Sequence, residues 1–403
     1  MDRRGPRGPL AGVRVAEAGS LIAAPLCTRL LADYGAEVIK VEPPGQGDPM
    51  RQWGGTYKGL GLWWPNIARN KKSVTLDLRT TDGQRLFGRL ASVSDVVVEN
   101  FRPGTFERWG LGFDALREAN PKLVMTRVTG FGQSGPYRDR AGFGAIGEAM
   151  GGLRFVTGFP DRPPLRVGIS IGDALAATFG ALGTMVALYH RDALSGVGQC
   201  VDVAIYEAVW ALMEGVLGEY DKLGRVRGRA GGRLPGIAPS NTYPTADGGW
   251  VVIGANADNV FRRFVGVLGH PEWADDLRFD SHIARGQHEE LLDELIEGWT
   301  SSFSTDEIVR RLEEAGVPAG RIYSAADIAT DPHYHAREMV LSIFDPNLGE
   351  AVRMQGVVPK FSETPGQVVA AGPALGQHNA EIYGSLLELP PNELASLKER
   401  GVI

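Results

Sequence analysis

Over the first 130 residues, short apolar runs alternate with segments of helical spacing. Residues 13–16, 37–41, 74–78, 95–98 and 123–128 read as strands. Between the first two, residues 23–34 place Leu26, Leu30 and Leu31 on one helical face, and Gly35 supplies a C-terminal stop. Residues 82–91 turn Leu86 and Leu90 inward, and residues 113–119 make a short third helix. Strands joined by helices of this length imply crossover connections and a largely parallel sheet, hence an α/β fold.

Residues 141–172 are rich in Gly and Pro and read as irregular. The strongest helical signal follows at 173–191, then a strand at 201–203 and a long helix at 204–220. An Arg- and Gly-rich connection, 224–241, leads to a second unit. That unit has a strand at 250–253 and helices at 259–268, 289–302 and 305–315, the last capped by Ser304 or Thr305. Short strands return over 340–361, and residues 390–403 form a terminal helix. No segment repeats.

Composition narrows the class. The 403 residues are 43% hydrophobic and 22% charged, as in a soluble globular protein of about two domains. A net charge of −6 with no basic stripe speaks against nucleic acid as a partner. Two cysteines, Cys27 and Cys200, exclude a disulfide framework and a cysteine-rich metal site, and fit a reducing compartment. The first residues lack an apolar core of signal-peptide length, and the most apolar stretch, 174–189, is short for a bilayer span. The expectation is a cytoplasmic protein with no membrane partner. His333 and His335 lack a third ligand, so no metal site is expected.

In an open α/β sheet, ligands bind beyond the carboxyl ends of the strands. The segments that follow the strands here are 17–23, 42–45, 99–104 and 129–132. They supply small residues, an aromatic at Phe101, and Arg102 and Arg108 for phosphate. The first turn lacks the GxGxxG pattern, which speaks against a nicotinamide or flavin dehydrogenase. Gly172-Asp173 opens the strongest helix. Asp173 reads either as a helix cap or as a carboxylate held ionised at a helix start and able to attack an acyl carbon.

Six stretches carry a resemblance: PLAGVRVAEAGSLIAAPLCTRLLADYGAEVIKVEPPGQGDPMR, NKKSVTLDL, SDVVVENFRPGTFERWGLG, GFGQSGPY, GISIGDALAATFGALG and GVGQCVDVAIYEAV, which span residues 9 to about 210. Together they make the chain similar to the class III CoA-transferases, the family of formyl-CoA:oxalate and crotonobetainyl-CoA:carnitine transferases. The resemblance implies a Rossmann-like large domain, a smaller α+β domain and a homodimer of interlocked rings. The corresponding boundaries are 1–223 for the N-terminal part of the large domain, 224–335 for linker and small domain, and 336–403 for the return to the large domain.

It also implies Asp173 as the nucleophile, attacking an acyl-CoA and passing through an aspartyl-CoA thioester. A carboxylic acid of ordinary pKa, about 3.9, is ionised at neutral pH, so this route needs neither base nor metal nor resident cofactor. Coenzyme A contacts are implied at Ile22, Ala23, Leu76, Asp77, Leu78, Arg79, Asn100, Phe101, Arg102, Arg108 and Arg140. The chain departs from the formyl-CoA enzyme at Ile22, where that enzyme has Gln, and at Pro43, where it has a basic residue.

The related α-methylacyl-CoA racemases place a His where this chain has Phe143, and none of the seven histidines fills that place. Retention of Asp173 speaks against a third reading, a non-catalytic CoA-binding relative. The segments AGFGAIGEAMGGLRFVTG and GIAPSNTYPTADG look most like members that use succinyl-CoA and a dicarboxylic acceptor. Glu148 is then a candidate for orienting the acceptor or Asp173, and Arg51, Arg154 and Arg166 are candidates for the distal carboxylate.

Overall fold

The computed structural model describes residues 8–403. They form two compact units. The first contains the chain up to Leu153, then Val167–Gly215 and Pro332–Ile403; the second contains Arg154–Arg166 and Val216–Asp331. Residues 1–7 of the expected large domain lie outside the described residues.

Six strands build the sheet of the first unit. They are β1 (Arg14–Glu17), β2 (Glu37–Glu42), β3 (Lys71–Thr75), β4 (Val96–Glu99), β5 (Val124–Thr129) and β6 (Cys200–Ala204). All neighbours are parallel, in the order β3-β2-β1-β4-β5-β6. This is the doubly wound order of dinucleotide-binding folds. Because both faces are covered, alternate residues feed two separate cores. Ala16, Ile39, Val74, Val97 and Met125 meet Leu86, Phe87 and Leu90 of α2 (Thr81–Ser92). Val15, Val38, Val96 and Val124 meet α1 (Ala23–Ala32) and the long helix that bridges β5 and β6. Gly180 of that helix lets α1 come close, since a Cβ there would lie 3.2 Å from Cys27 Sγ.

Several expected elements shift. Strand β3 begins at Lys71 rather than Val74 and ends at Thr75. Lysine reads as an edge signal, but Lys71 is buried because its ammonium pairs inside the fold. The irregular stretch 141–172 contains α3 (Gly144–Met150). The long helix, α4, runs Ile171–Tyr189 and continues through a wider turn to Ser195. That run of 25 residues is long and apolar enough to cross a membrane, contrary to the length read from the sequence. Yet it is the crossover between two hydrogen-bonded strands, and inserting it in lipid would unmake the sheet. The helix expected at 204–220 is broken into α5 (Ile205–Trp210) and Val216–Leu223. Glu214 takes a left-handed φ of 50° between them, and the boundary of the two units falls at this break. Residues 154–166 and 216–223 therefore go with the second unit, which the expected boundaries do not anticipate.

The second unit packs the antiparallel strands Ser240–Pro244, Trp250–Gly254 and Ala319–Arg321 against helices Asp258–Leu268, Glu289–Thr300 and Thr305–Glu314. Phe261, Phe264, Ile296, Ile308 and Leu312 form its core. Of the two candidates, Ser304 caps the last of these helices, and Thr305 is its first residue.

The C-terminal segment returns to the first unit and covers the outer edge of β3. Ser73 N donates to His378 Nδ1 at 3.1 Å, while His378 N donates to Ser73 O at 2.9 Å. Thr75 N donates to Asn379 Oδ1 at 2.9 Å, and Tyr383 OH donates to Thr75 O at 2.8 Å. An edge strand with unpaired backbone groups invites foreign pairing, and here side chains satisfy it. His378 must be neutral at Nδ1 to accept from Ser73. Burial and the nearby Lys72 lower its pKa, and Glu381 opposes them. A histidine with a lowered folded pKa favours the fold when neutral, so its contribution is complete above its ordinary value of 6.5 and is lost as pH falls below it. We expect the melting temperature to drop on acidification below that value, and the drop to shrink in His378→Gln; equal pH slopes for the two proteins by calorimetry would refute the assignment.

Candidate active site

Strands β1 and β4 are neighbours, but the chain leaves β1 toward β2 and β4 toward β5. At such a switch point the loops part and open a crevice beyond the strand ends. Asn100, just after β4, spans it. Its Nδ2 donates to Ser20 O at 2.8 Å, and its Oδ1 accepts from Ser20 N at 2.9 Å.

Buried charges tie down the strand ends beneath. Glu17 closes β1 and accepts from Lys40 Nζ at 2.7 Å, Lys71 Nζ at 2.8 Å and Thr28 Oγ1 at 2.5 Å. Burial alone would raise its pKa, but the two ammonium groups outweigh it and hold the carboxyl down at about 2. Lys71 is pushed down to about 8 by burial and by Lys40, against the pull of Glu17. At the end of β4, burial raises the pKa of Glu99 against the Arg127 guanidinium, which donates to Oε1 at 2.6 Å. Glu99 Oε2 accepts from Phe101 N at 2.6 Å, and Arg127 also holds Glu107 at 2.6 Å. One carboxylate at a strand end thus positions both Phe101 and the helical turn Thr105–Arg108. The Phe101 ring packs edge-on to Trp109 at 5.2 Å.

Asp173 is the third residue of α4, with Ser170 at the N-cap, so it lies inside the first turn rather than capping it. It is half-buried, and its negative charge is favoured at this end of the helix. Its carboxylate rests against Gly144, the first residue of α3. A Cβ on Gly144 would lie 2.7 Å from Asp173 Cγ and closer still to Oδ2. Gly147 and the C-cap residue Gly151 continue the same face, where a Cβ would come within 2.5 Å of Ile205 Cγ2 and 2.6 Å of Val209 Cγ1. Helix α3 therefore lies against α5 by backbone, and its first residue leaves the space that the carboxylate fills. Glu148, on α3, is 1% exposed, and Gly172 N approaches its Oε1 at 3.4 Å.

A cleft adjoins this point. Phe143, the residue before Gly144, forms one wall with Gly142; Asn100, Phe101, Arg102 and Arg140 also line it. The Arg140 guanidinium lies over the Tyr137 ring at 3.6 Å.

The expected site residues are distributed as follows. Asn100, Phe101, Arg102 and Arg140 share the cleft. Arg108 is nearby, bonded to Thr105 Oγ1 at 3.0 Å. Ile22 is the N-cap of α1 and packs on Met50 and Trp64, while Ala23 is buried beside Val128 and Ala176. The Leu76 and Leu78 side chains point into the core, so these two residues offer a ligand only their backbone. Asp77 and Arg79 pair with each other at 2.9 Å at the surface. Arg51 is committed elsewhere: it grips both oxygens of Glu42 at 2.8 Å, donates to Pro373 O and covers Trp64. A guanidinium so engaged is ill-suited to meet an acceptor carboxylate. Arg154 and Arg166 belong to the second unit. Among the described residues, no group of three or more His, Cys, Asp or Glu side chains is arranged to hold a metal ion. Sequence reasoning misses Gly144, although glycines at 144, 147 and 151 repeat at helical spacing, and it misses Asp48, whose burial no pattern announces.

Residues 10–379 match the pattern of CoA-transferase family III. The chain is 58% identical over 404 residues to a succinyl-CoA–D-citramalate CoA-transferase of Chloroflexus aurantiacus, covering 100% of both chains. It is 34% identical over 395 residues to a succinate–glutarate CoA-transferase of Agrobacterium fabrum, covering 96% of this chain and 97% of that one. Its fold matches the crystal structure of a CAIB/BAIF family protein from Brucella suis with a TM-score of 0.82 and 34% identity, covering 94% of this chain and 100% of that one. The chain belongs to CoA-transferase family III.

Proposed function

We propose that this protein transfers coenzyme A from succinyl-CoA to a dicarboxylic acid through covalent intermediates on Asp173. The observation that carries the reading is the Asp173 carboxylate itself, half-exposed at the start of α4 and seated against a residue with no side chain, beside a cleft that bears Arg102 and Arg140. The succinyl-CoA and dicarboxylate names of the relatives supply the substrate pair.

The chemistry balances in four steps. The Asp173 carboxylate attacks the succinyl thioester carbonyl and expels CoA thiolate, leaving a mixed anhydride. The thiolate attacks the Asp173 side-chain carbonyl and expels succinate, leaving aspartyl-CoA. The acceptor carboxylate attacks that thioester, forms a second anhydride and releases the thiolate again. The thiolate then attacks the acceptor's acyl carbon and restores the Asp173 carboxylate. Nucleophile and leaving group are anions throughout, so no proton transfer is required. Thioester energy survives only if water is excluded, and the close backbone contact around Gly144 and Gly172 serves that end. Arg102, Arg108 and Arg140 are assigned to the phosphates of CoA, and Phe101 to packing on its organic part. Of the arginines considered for the distal carboxylate, Arg154 and Arg166 remain candidates. Glu148 is assigned to orienting Asp173 by fixing Gly172.

We read the protein as a homodimer. Leu182, Met185, Val186 and Tyr189 are exposed at spacings of three, one and three residues, an apolar stripe along the outer face of α4. Such a stripe is usually covered by a partner. Sedimentation should give twice the chain mass, and Val186→Glu should lower it; a parent that sediments as a monomer would overturn this part of the reading.

Mixing the protein with succinyl-CoA should add the mass of CoA, less water, to the peptide containing Asp173. Asp173→Ala should lower kcat by about 10³-fold or more, as for loss of a covalent nucleophile. Gly144→Ala, with the nucleophile kept, should lower kcat by about 100-fold, since a displacement near 1 Å has that effect. An active Asp173→Ala protein, or no adduct in an active parent, contradicts the mechanism. Against a panel of acceptors with succinyl-CoA, turnover should be confined to C4–C6 dicarboxylates and their hydroxy derivatives; turnover with monocarboxylates alone would contradict the substrate assignment.

A further inference from the structure

Leu21 adopts a left-handed backbone, with φ of 64°. A leucine there is strained because its Cβ crowds the neighbouring carbonyl. Such strain persists only where the surroundings over-determine it, and it collects at functional sites. Around Leu21 the determination is dense. Gly19 O accepts from Lys40 Nζ at 2.9 Å. Ser20 is held at both its N–H and its C=O by Asn100. Leu21 N donates to both oxygens of Asp48, at 3.1 and 3.2 Å.

Asp48 is itself buried and fixed. Its N–H donates to Glu42 Oε2 at 3.0 Å, its Oδ1 accepts from Met50 N at 2.9 Å, and its Oδ2 pairs with Lys40 Nζ at 2.8 Å. Glu17 is shared by Lys40 and Lys71, so Asp48 also serves as the second counter-charge of this buried cluster. Beyond that charge, Asp48 holds one strained residue. The left-handed turn reverses the chain within a single position. It makes Ile22 the N-cap of α1, with Ile22 O accepting from Leu26 N at 2.7 Å, and lays Ile22 on Met50 and Trp64. All of this happens in the loop after β1, on the rim of the crevice where β1 and β4 diverge.

We propose that Asp48 is a positioning residue for acyl-CoA: its carboxylate keeps Leu21 left-handed, and that conformation shapes the Gly19–Ile22 wall against which the thioester-bearing ligand is bound. The proposal rests on reading the crevice as the acyl-CoA site. Asp48 does not touch the ligand; it acts through Leu21. Without its carboxylate, Leu21 relaxes to negative φ, the binding-competent loop becomes a minor population, and apparent affinity falls by that fraction. Glycine at position 21 adopts the left-handed conformation without steric penalty, so it removes the need for the hold.

The test is steady-state kinetics with succinyl-CoA on Asp48→Ala, Asp48→Asn and the double variant Asp48→Ala/Leu21→Gly. Asp48→Ala should raise the KM for succinyl-CoA by about tenfold or more, with kcat within about threefold and the acceptor KM unchanged. The double variant should recover most of that rise. A merely structural role would lower kcat and both affinities together, and glycine would not rescue it; either result overturns the proposal, as does an unchanged KM. Should Asp48→Ala not accumulate as folded protein, Asp48→Asn decides. It keeps one acceptor for Leu21 N but turns an amide toward Lys40, so its KM should rise several-fold and fall again with Leu21→Gly, and an unchanged KM overturns the proposal. The CoA adduct on Asp173 should still form in the Asp48 variants at saturating succinyl-CoA. Its absence from the parent would instead remove the reading of the site.

Discussion

Two buried lysines sharing one buried carboxylate tie three strands of the sheet together beneath the loop that follows β1. Glu17, Lys40 and Lys71 come from three adjacent strands, and their pairing ties those strands together at depth. Removing one partner would leave an uncompensated charge in the interior, which costs about 3–5 kcal/mol. Isosteric apolar residues could replace such a cluster without loss of stability. They could not, however, reach out of the sheet to Gly19 and Asp48 as Lys40 does. The cluster therefore connects the architecture of the sheet to the shape of the loop above it.

The other half of the site is built by omission. Helix α3 presents glycine at Gly144 and Gly147 and ends on a glycine C-cap, Gly151, so backbone meets side chains of α5 and the Asp173 carboxylate directly. Glycine within a helix is destabilising by roughly 0.5–1 kcal/mol relative to alanine. Two of them in one helix of seven residues make sense where packing requires the space. The Asp173 carboxylate is thereby seated directly against the start of that helix.

Much of this is legible in the amino-acid sequence. The alternation of strand and helix patterns predicts the parallel sheet, and Gly35, at φ of 95°, ends the first helix as its position suggests. The elements that the pattern misjudges share a cause. The start of β3 is hidden because Lys71 and Lys72 look like surface residues, and only their distant partners Glu17, Glu37 and Glu381 reveal otherwise. Helix α3 is hidden because glycine normally weakens a helix, whereas here tertiary contact reverses that preference. The pattern over 204–220 runs on through Glu214 and Gly215, where a unit boundary intervenes. Arg51 looks available because its partner Glu42 reads simply as a strand end. The lysine pairs and the helix α3 contacts are non-local, carried by residues tens or hundreds of positions away.

The strap over β3 has a consequence for biosynthesis. Ser73 and Thr75 find their outer partners about 305 positions later in the chain, at His378 and Asn379. A ribosome adding roughly 5–20 residues per second needs on the order of fifteen seconds to a minute to cover that distance. Throughout that interval the nascent sheet carries an open flank. The second unit, whose own strands and helices are mostly close in sequence, can form meanwhile as an insert. Quality control during synthesis, and any host chosen for producing the protein, must therefore guard a half-finished sheet.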